Sequence, residues 1–130
     1  YVVDSIDILT RLYGIKEERY QKSIQDGVKF YYEEQFNEKG YCYWRIPTVW
    51  PVDIHNQSQG IISFTRFADQ DDRFQPFAQR IYDWTVKNMR SSKGRFYYQK
   101  YSFFTNKTNY LRWGQAWMLL AMTTLYTQKN

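Results

Sequence analysis

Gly40-Tyr41-Cys42-Tyr43-Trp44 is answered 54 residues later by Gly94-Arg95-Phe96-Tyr97-Tyr98, a glycine leading each time into a short aromatic ribbon. Downstream of each ribbon a polar run opens an apolar stretch, Asn56-Gln57-Ser58-Gln59-Gly60 and Arg112-Trp113-Gly114-Gln115-Ala116, now 56 residues apart. The two-residue drift falls in the loop, where insertions are best tolerated. Residues 26–68 and 80–122 therefore share one plan of helix, glycine, aromatic ribbon, polar loop and helix. Units of this period cannot bury their apolar faces alone and must stack, which predicts an array or ring of helical hairpins.

Around these ribbons the helical pattern is regular. Ile6, Leu9, Leu12 and Tyr13 form one stripe of a helix at 4–13 that Gly14 ends. A longer amphipathic helix spans about 16–36, with Tyr20, Ile24, Val28 and Tyr31 on one face and Lys22, Lys29, Glu33 and Glu34 on the other. Pro47 and Pro51 keep the chain after the first ribbon out of helix, and Asp53 stands where an N-cap belongs. The next helix, through Ile54, Ile61, Ile62, Phe64 and Phe67, carries almost no charge and reads as buried. A second amphipathic helix runs from about Arg73 to Met89, and a last apolar one from Leu111 to about Thr127. The expected architecture is all-α, with short β-ribbons in the long loops. Residues 1–130 form one domain with an inner helix at 4–13 and hairpins at 16–68 and 73–127. The long loops gather at one pole, the natural place for a site.

Tyr1 opens directly into helical pattern, so we expect the C-terminal part of something longer. No apolar run approaches the roughly 20 residues of a membrane span, and no signal peptide is visible. These features point to a soluble protein of no assigned compartment, cytoplasmic or periplasmic in a bacterium. Cys42 is the sole cysteine, which removes an internal disulfide and cysteine-rich metal sites and suits a small buried hydrophobe. There is no phosphate loop, dinucleotide fingerprint, metal spacing or nucleophile elbow, so no cofactor and no metal are expected. Aromatic residues make up 21% of the chain, enough that some rings must line a wet surface. Charge is uneven: residues 1–83 hold 13 acids and 10 bases, whereas 84–130 hold 8 bases and no acid. Those bases are scattered over helix, ribbon and loop without a recognition motif, which makes nucleic acid an unlikely partner.

Ile54-His55-Asn56-Gln57-Ser58-Gln59-Gly60-Ile61-Ile62, the two glycine-aromatic ribbons and Arg112-Trp113-Gly114-Gln115-Ala116-Trp117-Met118 resemble the C-terminal half of bacterial (α/α)6-toroid proteins of the six-hairpin glycosidase-like type. The resemblance implies carbohydrate chemistry of the kind carried out by glycoside hydrolases, polysaccharide lyases and sugar epimerases, completed by the remainder of the parent chain. Some similar sequences carry the name delta-aminolevulinic acid dehydratase. That reaction is associated with a Schiff-base lysine on a β/α barrel, and no alternating β/α pattern runs through this chain.

The candidate chemistry lies where the loops enter the inner helices. His55, the sole histidine, is the candidate proton carrier, since its ordinary pKa lies near neutrality. Asp53 is either a second acid or base aimed at the loop pole or simply the cap of its helix. Asn56, Trp44, Trp50, Tyr98 and Trp113 are candidate substrate contacts, the rings offering flat apolar faces for sugars. Arg112 supplies a fork that suits a carboxylate or sulfate, and with Arg90, Lys93, Arg95, Lys100 and Lys107 it points to an anionic saccharide. Gln59 and Gln115 look equivalent and suited to tying loop backbone to helix starts. Glycosidases need two carboxylates flanking the bond, and only Asp53 is placed for that. A catalytic domain acting on a polar or acidic saccharide therefore stands beside an alternative, a non-catalytic module binding glycan or protein. An exposed half-ring would also leave apolar edges on which self-association is expected.

Overall fold

The computed structural model describes residues 1–128. The chain divides into two compact units, Tyr1–Gln35 and Phe36–Asn130. It is mostly helical with one small antiparallel sheet, which fits the all-α class with β-ribbons set out above.

The first unit is a pair of packed helices, α1 (Val2–Leu12) and α2 (Glu18–Glu34). Gly27 sits inside α2, where glycine is usually unfavourable by about 1 kcal/mol relative to alanine. Its reason is close approach, because a Cβ there would lie 2.6 Å from Val3 Cγ2 on α1. Ile24 and Val28 on α2 are buried, and Lys22 pairs with Asp26 on its solvent side.

The second unit is built around α3 (Ile54–Arg66), from Gln57 through Thr65 buried without interruption. α4 (Phe74–Met89) and α5 (Trp117–Thr127) both pack on it. Between α3 and α4 the core is an edge-to-face aromatic cluster: Phe64 lies 5.6 Å from Phe36 and 5.1 Å from Phe77, ring centre to ring centre. Such pairs contribute about 0.5–1.5 kcal/mol each beyond the area they bury. Met118, Ala121 and Leu125 bury one face of α5, while Leu119, Leu120 and Tyr126 stay exposed.

The last helix departs from the sequence expectation at its start. Leu111–Ala116 is wound as a π-helix before α5 begins, and the amide of Gln115 reaches back five residues to the carbonyl of Tyr110 at 3.3 Å. π turns are rare and frequent at functional sites, and this one carries Gln115.

The two glycine-aromatic ribbons fold alike. In the first, the amide of Gly40 bonds the carbonyl of Asn37 and the amide of Asn37 bonds the carbonyl of Tyr41; in the second, Gly94 with Ser91 and Ser91 with Arg95 repeat the pattern. Phe36 bridges Cys42 as Arg90 bridges Phe96. Gly40 takes φ +92°, and a Cβ at that site would meet the carbonyl oxygen of Arg80 at 2.8 Å, so both conformation and space require glycine.

Each ribbon is held by one glutamine. Gln57 Oε1 accepts from the Cys42 amide at 2.8 Å, and its Nε2 donates to the Gly40 carbonyl and to Thr85 Oγ1, each at 2.9 Å. Gln115 Oε1 accepts from the Phe96 amide at 3.0 Å and its Nε2 donates to the Phe96 carbonyl at 2.8 Å. The pairing of Gln115 with Gln59 is corrected: Gln59 bonds Ser63 on its own helix, and Gln57 is the counterpart. From clamped amide to clamping glutamine the separation is 15 residues in the first loop and 19 in the second, four more. The longer loop holds a hairpin, β2 (Gln99–Lys100) and β3 (Thr105–Asn106), which pairs with β1 (Val52–Asp53) in the antiparallel order β1-β2-β3.

Gln57 is fully buried with all its bonds made, whereas Gln115 is partly exposed. Gln57→Leu is therefore expected to cost about 2–3 kcal/mol by orphaning buried backbone groups, and Gln115→Leu about 1 kcal/mol. Urea unfolding of the two variants measures both, and equal losses would show that burial of the clamp is not what matters.

Candidate functional site

Beside the start of α3 the second unit opens into a cleft of about 520 Å³. Asp53, His55 and Asn56 form its floor at the helix entrance, and Trp44, Tyr98, Tyr110 and Trp113 form its aromatic walls. Four lining residues come from the loops or the π-helical segment, Asp53 from β1 and two from the first turn of α3, so the Gln57 and Gln115 clamps on those loops bear on the cleft as well.

Asp53 is the hinge of this arrangement. Its backbone is extended and its Oδ1 accepts from the His55 amide at 2.9 Å, capping α3. Its Oδ2 accepts from Gln99 Nε2 at 2.9 Å, across the β1–β2 pair in which the two residues face each other. Gln99 Oε1 in turn accepts from the Tyr101 hydroxyl at 3.2 Å. One buried carboxylate thus joins a helix start, the sheet and, through Gln99, the turn at Tyr101.

His55 lies with its ring 5.2 Å from that of Trp113 and 4.7 Å from that of Trp117. Burial among these rings holds its pKa below the ordinary 6.5, so the imidazole is neutral at physiological pH and able to accept a proton. In the register set by the glutamine clamps Trp113 is the counterpart of His55, in place of the match of Trp113 with Gln57 read from the sequence.

Tyr98 packs edge-to-face on Tyr110 at 4.9 Å. Its pKa is raised by burial first and then by the charge of Asp53, so Tyr98 remains a phenol and a hydrogen-bond donor. Tyr110 escaped the sequence reading. The signal was present, since Tyr110 immediately precedes the last helix as Asp53 precedes α3, but an aromatic residue carries no capping signature.

Two other sequence candidates lie outside the cleft lining. Trp50 stacks on Tyr41, ring centres 6.0 Å apart and planes within 14°. Arg112 is exposed on the π-helical segment and is not among the lining residues. Among the described residues that line the cleft, Asp53 is the one carboxylate and none is a lysine or arginine.

Cys42 is buried on the clamped ribbon, its Sγ donating to the Tyr43 carbonyl at 3.3 Å. Burial, helped by the charge of Asp53, pushes its pKa up to about 12. Among the described residues no group of three or more His, Cys, Asp and Glu side chains is placed to hold a metal ion, and no helix is long and apolar enough to cross a membrane.

Two titrations follow. His55 as the sole histidine gives one resolvable imidazole signal, and proton NMR should place its midpoint below 6.5. Because the unfolded chain then binds the proton more readily, stability should fall as pH drops below about 6.5 through the folded value, and His55→Asn should flatten that fall. A midpoint above 6.5 would contradict the buried environment. Cys42, for its part, should not react with a thiol reagent at pH 8 until the protein unfolds, and a stoichiometric reaction in the native state would place the thiol at the surface.

No family model and no curated protein sequence matches this chain. Among solved structures it is similar to the cellobiose 2-epimerase of Bacillus thermoamylovorans B4167, with a TM-score of 0.72 and 16% sequence identity over 96% of this chain. The match covers 37% of the epimerase chain. The likeness carries the fold: the chain takes up the path of one part of an (α/α)6 toroid.

Proposed function

We propose that the cleft at the start of α3 binds a polar, uncharged saccharide, and that in the whole protein His55 moves a proton on it. The observation that carries this reading is the composition of the walls: Trp44, Tyr98, Tyr110 and Trp113 around a floor of Asp53, His55 and Asn56. Sugars present flat C–H faces to aromatic rings and hydroxyls to amides, phenols and carboxylates, and this lining offers both. The fold likeness to a protein that acts on cellobiose supports the same ligand class.

The charge of the cleft favours a neutral ligand over the acidic one suggested by the basic residues of the second repeat. Asp53 would repel a carboxylate or sulfate, and Arg112 is not among the lining residues to offset it. The chemistry favoured is single-proton transfer. Asp53 is the one carboxylate of the lining and both its oxygens already accept hydrogen bonds, so paired-carboxylate hydrolysis is not supported by these residues. In this reading His55 is the base, Tyr98 a donor to a sugar hydroxyl, and Asp53 the group that holds His55 and Gln99 in place. That same engagement of Asp53 favours a second reading, a saccharide-binding module without turnover.

Cellobiose titration followed by tryptophan emission tests the first step, because Trp113 and Trp44 report from the walls. Saturable quenching is expected, weakened about tenfold by Trp113→Ala, the equivalent of about 1.4 kcal/mol, and insensitive to salt between 20 and roughly 200 mM as befits a neutral ligand. No saturable response with cellobiose or its constituent sugar would remove the reading, and glucuronate binding more tightly than cellobiose, with a steep fall in salt, would transfer it to acidic saccharides. His55→Asn separates the two versions: bound sugar with lost turnover marks an enzyme, and unchanged behaviour a binding module.

A further inference from the structure

The hairpin β2–β3 leaves the cleft wall at Tyr98 and returns to it at Tyr110, the two rings packed against each other at its base. Its tip, Tyr101-Ser102-Phe103-Phe104, is closed by the Tyr101 amide bonding the Phe104 carbonyl at 2.8 Å. Within that turn the rings of Tyr101 and Phe104 stack face to face, centres 4.2 Å apart and planes within 10°. Phe103 packs at 5.2 Å on Phe104 and is 86% exposed, and Phe104 is 48% exposed. Three aromatic rings at the tip of a short turn, two of them open to water, are a costly way to make a loop, since nothing of the hydrophobic gain of burial is collected there.

We propose that this tip is a second saccharide subsite, continuing the cleft for ligands longer than a disaccharide; the inference rests on the cleft being a saccharide site. Three features support it. The tip is tied to the cleft before any ligand arrives: the Tyr101 hydroxyl bonds Gln99, which bonds Asp53 of the cleft lining, and the Phe104 ring stacks on Tyr101. A preorganised aromatic platform avoids the ordering cost of a flexible one. Its distance also suits an extended ligand: Tyr101 lies three residue steps beyond Tyr98, across the two-residue strand Gln99–Lys100, a reach of about 10 Å, so a chain leaving the Tyr98 wall would meet the tip after a further sugar ring. Finally, the tip presents rings and a single hydroxyl-bearing Ser102, with no charge of its own between Tyr101 and Phe104, the character expected of a face for neutral sugar rather than for an anion. The hairpin also accounts for the extra length of the second loop over the first, since the ribbon and clamp are complete without it.

The test compares cellotetraose with cellobiose on the full chain, by calorimetric titration of the wild type and of the double variant Phe103→Leu, Phe104→Leu. Leucine keeps the tip apolar and removes the flat face, so a loss in this variant reports stacking rather than general hydrophobicity. The wild type should bind cellotetraose about tenfold tighter than cellobiose, a base–ring stack elsewhere contributing a similar factor, and the double variant should bring the ratio close to one. Circular dichroism of the variant guards against loss of fold, and Phe103→Leu alone, which leaves the Tyr101–Phe104 stack in place, should give an intermediate ratio. Cellobiose binding with a ratio near one in the wild type, or with a ratio unchanged in the variant, overturns the subsite and leaves the cleft reading standing. Binding of neither sugar overturns both.

Discussion

A long loop next to a buried helix must satisfy its own backbone, and in this chain one buried amide does so. Gln57 accepts from the Cys42 amide and donates to the Gly40 carbonyl and Thr85, so a single side chain ties the first ribbon to α3 and to α4 at once. Buried backbone groups left unpaired would each cost about 1–3 kcal/mol. With the ribbon pinned, Tyr41 stacks on Trp50 and Trp44 reaches the cleft. Gln115 repeats the device with the second ribbon, which is how two loops of unequal length come to face a common opening.

Asp53 extends the same economy into the site. A cap alone would need one oxygen; the second oxygen holds Gln99 and through it the β2–β3 hairpin. The residue that starts α3, and so fixes His55, also holds the β2–β3 hairpin that follows Tyr98. Burial raises the pKa values of Tyr98 and Cys42 first, and the charge of Asp53 adds to both shifts in the same direction.

Much of this was legible in the chain. The ribbons could be read because glycine followed by aromatics is rare enough to recognise twice, and Asp53 because a short acceptor before an uncharged helix has a mechanical meaning. The all-α class followed from apolar spacing. What the sequence hid was register. Matching Gln115 to Gln59 aligns letters, whereas the clamp aligns hydrogen-bonding partners, and the π-helical segment that reconciles the two leaves no mark in residue type. Trp50 and Trp44 are indistinguishable as letters six residues apart, yet the first is spent on packing Tyr41 and the second on the cleft wall. Arg112 lies exposed and outside the cleft lining for the same cause, since a small change of turn decides whether a long side chain lines an opening or faces water. Tyr110 and the hairpin tip gave no pattern because stacking has no period.

The π-helical segment also has an angular meaning. Each residue of an α-helix advances the side-chain direction by about 100°, and the last helix must meet two fixed targets, the second ribbon through Gln115 and the core through Met118, Ala121 and Leu125. The wide turn at 111–116 takes up the phase difference between those targets. Deleting one residue there would rotate the two halves of the helix against each other, so that the chain could satisfy the ribbon or the core but not the two together. The segment is in this sense a phase corrector, and its length is constrained by the fold as much as Gln115 within it.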